Sequence, residues 1–136
     1  LVAEAANAVE AVELALEPME RRVRPIALSR AVANLLLNAE GYGQPPLRLV
    51  LRSAPAEGFA IEVWDGGPGL PAADWERAKQ PFQRLDEARG GLGHSGLGLA
   101  IAERVARAHG GDLTCRHALE GGRGSFVVTL TGRSFP

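Results

Sequence analysis

Two asparagines, Asn34 and Asn38, stand four residues apart in a run of helical periodicity. On a helix this spacing puts both amide side chains on one face, with Tyr42 one turn further along. Asparagine is a poor helix former because its side chain competes for backbone hydrogen bonds, so the pair needs a reason. Amide oxygens are neutral, hard ligands that suit Mg²⁺ held also by water and nucleotide phosphates. Taken alone, such a pair is more often explained by hydrogen bonds to solvent or backbone.

A second group of residues, Asp65-Gly66-Gly67-Pro68-Gly69, follows an apolar segment of strand periodicity. A carboxylate fixed at the end of a strand is an acceptor for a donor such as the exocyclic amine of adenine. Glycines there let the backbone approach a planar ring closely and permit a tight turn. An ordinary Asp-Gly loop between a strand and a helix remains the simpler interpretation of this motif by itself.

The third group, Gly96-Leu97-Gly98-Leu99, opens a helix. Glycines at a helix N-terminus expose backbone N–H groups to an anion, and the helix dipole favours phosphate there. A Walker A loop is excluded because no Gly-Lys-Ser/Thr follows. A dinucleotide-binding βαβ unit is excluded because no strand precedes the glycines.

Composition limits the class of protein. The chain has 136 residues, 46% of them hydrophobic, and a formal net charge of −1. That length suits one domain over residues 1–136, and the near-neutral charge argues against nucleic-acid binding. The single cysteine, Cys115, excludes an internal disulfide and is expected to be a small strand residue. No signal peptide or membrane-spanning run is evident and no initiator Met is present, so we expect a piece of a longer protein.

Periodicity predicts an α+β fold, a sheet with helices on one face. Helices are expected over 1–11, from Ala27 or Leu28 to a stop at Gly41 and Gly43, over 72–78, and over 97–109. Strands are expected over 12–16, 47–52, 59–64, 113–117 and 125–130, the last four forming two hairpins. The stripe predicted for the last helix consists of Leu97, Ile101, Val105 and Ala108. Trp64, Trp75 and Phe126 are expected in the core.

The order of these motifs along the chain resembles the GHKL ATPase superfamily, and within it the catalytic domain of sensor histidine kinases of the EnvZ-like branch. Arg30–Ala39 (RAVANLLLNA) resembles the N-box, and Asp65–Gly69 the G1 box. Pro81–Arg84 (PFQR) resembles the F-box, and Gly96–Ile101 (GLGLAI) the G2 box. The resemblance covers roughly residues 12–130 and implies the Bergerat fold, a mixed sheet with helices on one face.

The resemblance implies a site for Mg-ATP. Asn38 would coordinate Mg²⁺, assisted by Asn34, while Asp65 would contact the adenine amine. Segment 80–95 would be the ATP lid, and Arg84 would face the phosphates. The residues implied to contact ATP are Asn34, Asn38, Tyr42, Asp65, Gly67, Gly69, Arg84, Ser95, Gly96, Leu97, Gly98 and Leu99.

The resemblance also implies partners. The γ-phosphoryl would pass to a histidine on a dimerisation domain and then to an aspartate of a response regulator. None of the histidines has the family's phosphoacceptor context; His109 is expected to cap a helix as a cation, and His117 to lie on a strand surface. The parent protein would be a homodimer, in most family members anchored in the inner membrane, and this cytoplasmic domain alone a monomer. The alternatives are a regulatory module or pseudokinase without kinase output, and an anti-sigma-type kinase.

The chain departs from the family pattern at three positions. Gly41 replaces the basic residue before the N-box Tyr, Lys79 stands near the first aromatic of the F-box, and His94 replaces a glycine before the G2 box. We expect Lys79, Arg89 or His94 to supply the missing contact to the phosphates.

Overall fold

The computed structural model describes residues 1–81, 98–120 and 122–136. Its helices are α1 (Val2–Ala5), α2 (Pro25–Tyr42), α3 (Ala72–Ala78) and α4 (Gly98–Ala108), and a 3₁₀ turn covers Ala6–Ala8. Its strands are β1 (Glu13–Leu16), β2 (Arg48–Ala54), β3 (Gly58–Asp65), β4 (Leu113–Glu120) and β5 (Arg123–Arg133). In the parts of the chain just named, no helix is long and apolar enough to cross a bilayer.

The five strands form one mixed sheet in the order β1-β2-β3-β5-β4. β1 runs parallel to β2, and every other pair is antiparallel. Leu49 pairs with Val63 and Ile61 with Leu130, so apolar side chains from neighbouring strands line up on the face that meets the helices. Both predicted hairpins and the predicted mixed sheet are confirmed, with the second hairpin longer than expected.

Helix α2 is the central helix of the fold. It begins at Pro25, where a fixed φ and a missing N–H suit the first helical turn. The predicted apolar stripe is buried against the sheet and α4: Leu28, Val32, Leu35, Leu36 and Ala39. The helix runs through Gly41 to Tyr42 and ends at Gly43, whose N–H donates to the Ala39 carbonyl at 2.9 Å. It therefore starts two or three residues earlier than predicted, and Gly41 does not stop it.

Helix α4 packs on α2 through small residues. Ala102 and Ala106 are fully buried, and Ile101 is 38% exposed. The stripe predicted from Ile101 and Ala108 is therefore wrong, whereas Val105 is buried as expected and Leu97 lies outside the described residues. Ala102 and Ala106 follow Gly98, which lies beside the asparagines of α2, at intervals of four residues, so these small side chains share the helix face that packs on α2.

The N-terminal helix predicted over 1–11 is also wrong in its extent. Only α1 and the following 3₁₀ turn form, and Val9 is extended at φ −125° and ψ 159°. The side chain of Val9 is buried in the core, so tertiary packing of this β-branched residue overrides the helix propensity of its alanine-rich surroundings. The short strand β1 follows as predicted.

Candidate functional site

The amide face of α2 lies beside the start of α4. Asn34 and Asn38 are both half-buried on this face. A Cβ placed on Gly98 would lie 3.8 Å from the Asn34 Cβ and 3.9 Å from Asn38 Oδ1. Two motifs separated by about sixty residues of chain therefore meet here.

Asp65 is the last residue of β3, and its side chain is buried. Its Oδ1 accepts a hydrogen bond from the Gly67 N–H at 2.7 Å and a longer one from the Gln44 N–H at 3.5 Å. The Gly66 N–H donates to the Gln44 carbonyl at 2.7 Å. The chain after α2 and the chain after β3 are therefore bonded to each other around this carboxylate.

Gly69 forms a turn at the end of the loop that begins at Asp65. Its φ is +68°, a conformation that side chains with a Cβ rarely adopt. A Cβ there would also collide with the ring of Phe126, which is buried and packs edge-to-face on Trp75 at 6.4 Å. Glycine is required here for both reasons, and the predicted core positions of Trp75 and Phe126 are confirmed.

The other expected ATP contacts are distributed unevenly. Tyr42 is half-buried in the last turn of α2. The Leu99 side chain is buried in the core, so only its backbone could face a ligand. Four expected contacts lie outside the described residues: Arg84, Ser95, Gly96 and Leu97.

Lys79 is used within the fold. Its Nζ lies 2.8 Å from a carboxylate oxygen of Glu103 in α4 and 3.2 Å from one of Glu76, and 5.6 Å from the centre of the Trp75 ring. Burial disfavours the charged ammonium, yet the pKa of Lys79 is raised above its ordinary value because the two carboxylates outweigh that cost. The expectation that Lys79 neutralises phosphates is therefore not supported. Arg89 and His94 fall outside the described residues.

His109 follows the last turn of α4 and is buried. Its Nε2 accepts the Arg24 N–H at 3.1 Å, and its Nδ1 lies 2.8 Å from the Val105 carbonyl. A ring nitrogen that accepts a hydrogen bond carries no proton, so the ring is the neutral tautomer that donates from Nδ1. The residue does cap the helix as expected, but as a neutral group and not as a cation. The expectation that His117 is exposed on a strand is confirmed.

Trp64 differs from its predicted core position. It lies half-buried between two guanidinium groups, 4.3 Å from that of Arg48 and 5.2 Å from that of Arg116. It also donates from Nε1 to Glu62 at 3.1 Å. Cys115 is half-buried on β4 as expected, and burial raises the pKa of its thiol, which disfavours a nucleophilic role.

Sequence reasoning missed Gly43 and Gln44. Both flank the Asp65 carboxylate although they lie more than twenty residues before it. A second glycine directly after Gly41 and Tyr42 was the available signal, but periodicity explained it as a helix stop. Among the described residues no group of three His, Cys, Asp or Glu side chains could hold a metal.

A mixed five-stranded sheet, a helix carrying two asparagines and a glycine-framed Asp loop define an ATP-binding domain of the GHKL type. The chain belongs to the family of histidine kinase-, DNA gyrase B-, and HSP90-like ATPases, which matches residues 23–133. It is an ATP-binding catalytic domain of the histidine kinase kind.

Relatives support this assignment. The sensor histidine kinase GtrS of Pseudomonas aeruginosa is 40% identical over 114 residues, which cover 84% of this chain and 23% of that protein. The chain thus spans about a quarter of that relative's length. A structure of the mycobacterial sensor histidine kinase MprB matches with a TM-score of 0.77 and 26% identity, covering 98% of this chain and 93% of that one. The histidine kinase domain of the E. coli osmosensor EnvZ matches with a TM-score of 0.68 and 31% identity, over 99% and 84% of the two chains.

Proposed function

We propose that this domain binds Mg-ATP between the amide face of α2, the Asp65 loop and the start of α4. The observation that carries the proposal is that α2 contacts both glycine motifs. Its asparagines lie beside Gly98, and the residues that follow it are bonded to the Asp65 loop. Two glycine motifs that are separate in sequence thus border the helix that carries the asparagines and the residues that follow it.

Asp65 would select the base. Its carboxylate is buried and oriented by backbone N–H groups, so it is a fixed acceptor for the exocyclic amine of adenine. Gly67 and Gly69 keep the loop free of side chains where the ring would lie, and Tyr42 would border the base. Burial strengthens this hydrogen bond because little water competes for the carboxylate.

Asn38 would hold Mg²⁺ through its amide oxygen, and Asn34 would assist it. These half-buried side chains fit the ion, because magnesium keeps several waters and takes its remaining ligands from phosphates and a few protein oxygens. When bound, the ion neutralises charge on the triphosphate. We assign the phosphates to Arg84, to the backbone N–H groups of Gly98 and Leu99 at the beginning of α4, and to those of Ser95, Gly96 and Leu97, which precede α4 in the sequence. A helix N-terminus favours anions by its dipole and its unpaired N–H groups.

In the whole protein the domain would donate the γ-phosphoryl group to a histidine on a dimerisation domain, and a response regulator would receive it from there. This chain would hold and orient the nucleotide, while the nucleophile comes from outside. Such transfer depends mostly on positioning and on charge stabilisation. We expect the parent to be a homodimer with this domain on the cytoplasmic side, and the domain alone to be a monomer.

Calorimetry with Mg-ATP tests the binding site. Asp65→Ala and Asn38→Ala should each weaken binding about tenfold or more, because each removes a contact with one charged member, the Asp65 carboxylate in the first case and Mg²⁺ in the second. Asn7→Ala, at an exposed asparagine of the 3₁₀ turn, is the matched control and should bind as the parent does. Parent-like binding by folded Asp65→Ala and Asn38→Ala variants would contradict the proposal.

A second experiment separates a kinase from a binding module. The chain is mixed with radiolabelled ATP and a histidine-bearing dimerisation domain of a sensor kinase. Label should appear on that domain and not on this chain. Binding without transfer would favour the regulatory module, the function suggested by the loss of a basic residue at Gly41.

A further inference from the structure

Gly43 touches the carboxylate that the proposed function assigns to the base. A Cβ placed on Gly43 would collide with Asp65 Cγ and would lie 2.6 Å from Asp65 Oδ2 and 2.7 Å from the Ala39 carbonyl oxygen. Side chains at position 43 are therefore excluded by the carboxylate on one side and by the end of α2 on the other.

Space, and not backbone conformation, is what requires glycine here. The φ of Gly43 is −93° and its ψ is −158°, which is extended backbone open to other residues. Gly67 borders the same carboxylate, and a Cβ there would be 2.9 Å from Asp65 Oδ1 and 3.5 Å from Gly43 Cα. The two neighbouring glycines, Gly43 and Gly67, are called here the slot, and they bring bare backbone of two chain segments against the Asp65 carboxylate.

The slot fixes the orientation of the carboxylate. The Gly67 N–H donates to Oδ1 at 2.7 Å, and Gly43 packs against Cγ and Oδ2. A methyl group at position 43 must push the carboxylate or the chain after α2 aside. Since Asp65 is buried, the carboxylate has little room to retreat without losing its backbone hydrogen bond.

We infer that Gly43 is a positioning residue for base selection: it acts through Asp65 and sets how strongly the domain prefers adenine. The inference rests on the proposed function. It predicts that Gly43→Ala lowers the preference for ATP over inosine triphosphate (ITP), a nucleotide that has a carbonyl where adenine has its amine. If Gly43 had only a structural role, Gly43→Ala would weaken the binding of both nucleotides equally.

The experiment measures the dissociation constants of Mg-ATP and Mg-ITP by calorimetry for four proteins: the parent, Gly43→Ala, Asp65→Ala and the double variant. The parent should prefer ATP about tenfold, because a carboxylate accepts from the amine and repels the carbonyl. Gly43→Ala should lose most of that preference. In the Asp65→Ala background the same substitution should change nothing further, since the group through which it acts is absent. Gly124→Ala is the control, because a Cβ there meets no described atom within 4 Å.

The outcomes are distinct. If Gly43→Ala keeps the parent's preference, whether or not both affinities fall, the inference is wrong while the proposed function stands. If the parent binds neither nucleotide, or binds both alike, the proposed role of Asp65 fails and the inference with it. Circular dichroism checks folding. If Gly43→Ala does not fold but the double variant folds, the contact with Asp65 is confirmed as the cause; if neither folds, Gly43 serves packing alone and the inference is overturned.

Discussion

Replacing Lys79 with methionine separates a structural role of this lysine from a role at the phosphates. Methionine keeps most of the aliphatic stem and removes the charge, so the change isolates the ion pair. Lys79 stands at the end of α3, and its partner Glu103 lies in α4. The pair therefore connects the two helices on either side of segment 82–97.

The expected loss of stability follows from burial. Lys79 is 9% exposed and Glu103 21%, and Nζ lies 2.8 Å from the carboxylate oxygen. A hydrogen bond to a charged group contributes about 1.5–3 kcal/mol to stability. Removing the partner of Glu103, which is 21% exposed, costs less than removing the partner of a fully buried carboxylate. We expect Lys79→Met to lower the free energy of unfolding by about 1–2 kcal/mol. For a chain of this length that is a fall of about 4–8 °C in Tm.

Thermal and urea unfolding measure the effect, and calorimetry with Mg-ATP measures binding by the same variant. Arg77→Met is the matched control in the same helix. Its pair with Asp74 is 3.5 Å long and solvent-exposed, so the change should alter stability by less than about 0.5 kcal/mol.

The pH dependence adds a second check. The pKa of Lys79 is raised in the folded chain, so its contribution is fully present below the unfolded value of 10.5 and is lost as the pH rises through the folded value. The difference in stability between parent and Lys79→Met should therefore hold at neutral pH and shrink well above pH 10.5. If Lys79→Met unfolds like the parent but binds Mg-ATP at least tenfold more weakly, the assignment to the ion pair is refuted and the lysine faces the phosphates.

Three further predictions concern stability, each measured by urea unfolding. Glu62 is buried, and although burial raises its pKa, hydrogen bonds from Trp64 and Arg52 and the charge of Arg116 lower it overall. The contribution of the Glu62 carboxylate to the free energy of unfolding is thus present above pH 4.5 and lost as the pH falls. Glu62→Gln should therefore be about 1–3 kcal/mol less stable than the parent at pH 7, and this difference should close near pH 3. A difference independent of pH would contradict the prediction. His109→Ala removes two hydrogen bonds and a ring stacked 5.0 Å from Phe135, and should lower the free energy of unfolding by about 2–4 kcal/mol. A loss under 1 kcal/mol would show that the ring does not hold Arg24 and Phe135 in place. Leu36→Ala creates a cavity at a fully buried position and should cost about 2–5 kcal/mol, whereas Leu37→Ala, at a 37% exposed neighbour, should cost far less.

Local periodicity was sufficient to predict the sheet strands and the buried face of α2. The alternation of Leu49 with its neighbours and the stripe of Leu28, Val32 and Leu35 each reflect a contact surface that one element presents to the core. Local periodicity failed for α4, where the fully buried residues are alanines. A pattern that weights large apolar residues selects Ile101, yet Ile101 is 38% exposed while Ala102 and Ala106 are fully buried.

The candidate site was predicted as motifs but not as an arrangement. Asp65 and the asparagines were identified by residue type and spacing. Gly43 was not, because its importance comes from the carboxylate that a distant strand places against it. The ion pair of Lys79 and the half-buried position of Trp64 were not predicted, for a similar reason. Glu103 and Arg116 determine their surroundings, and neither partner is near in sequence.

The placement of Lys79 also bears on whether the domain transfers phosphate. Gly41 gives no charge in the last turn of α2, and Lys79 is held by two carboxylates. In the proposed complex, neutralisation of the triphosphate therefore rests on magnesium at Asn38, on Arg84 and on the N-terminus of α4. A site of that kind should depend steeply on magnesium. Chelation of magnesium should abolish tight ATP binding in calorimetry but leave the preference for adenine, because in the proposed complex Asp65 would contact the base independently of the ion. Equal affinity with and without magnesium would place the missing positive charge on the protein, and Asn38 would then not be the ligand proposed.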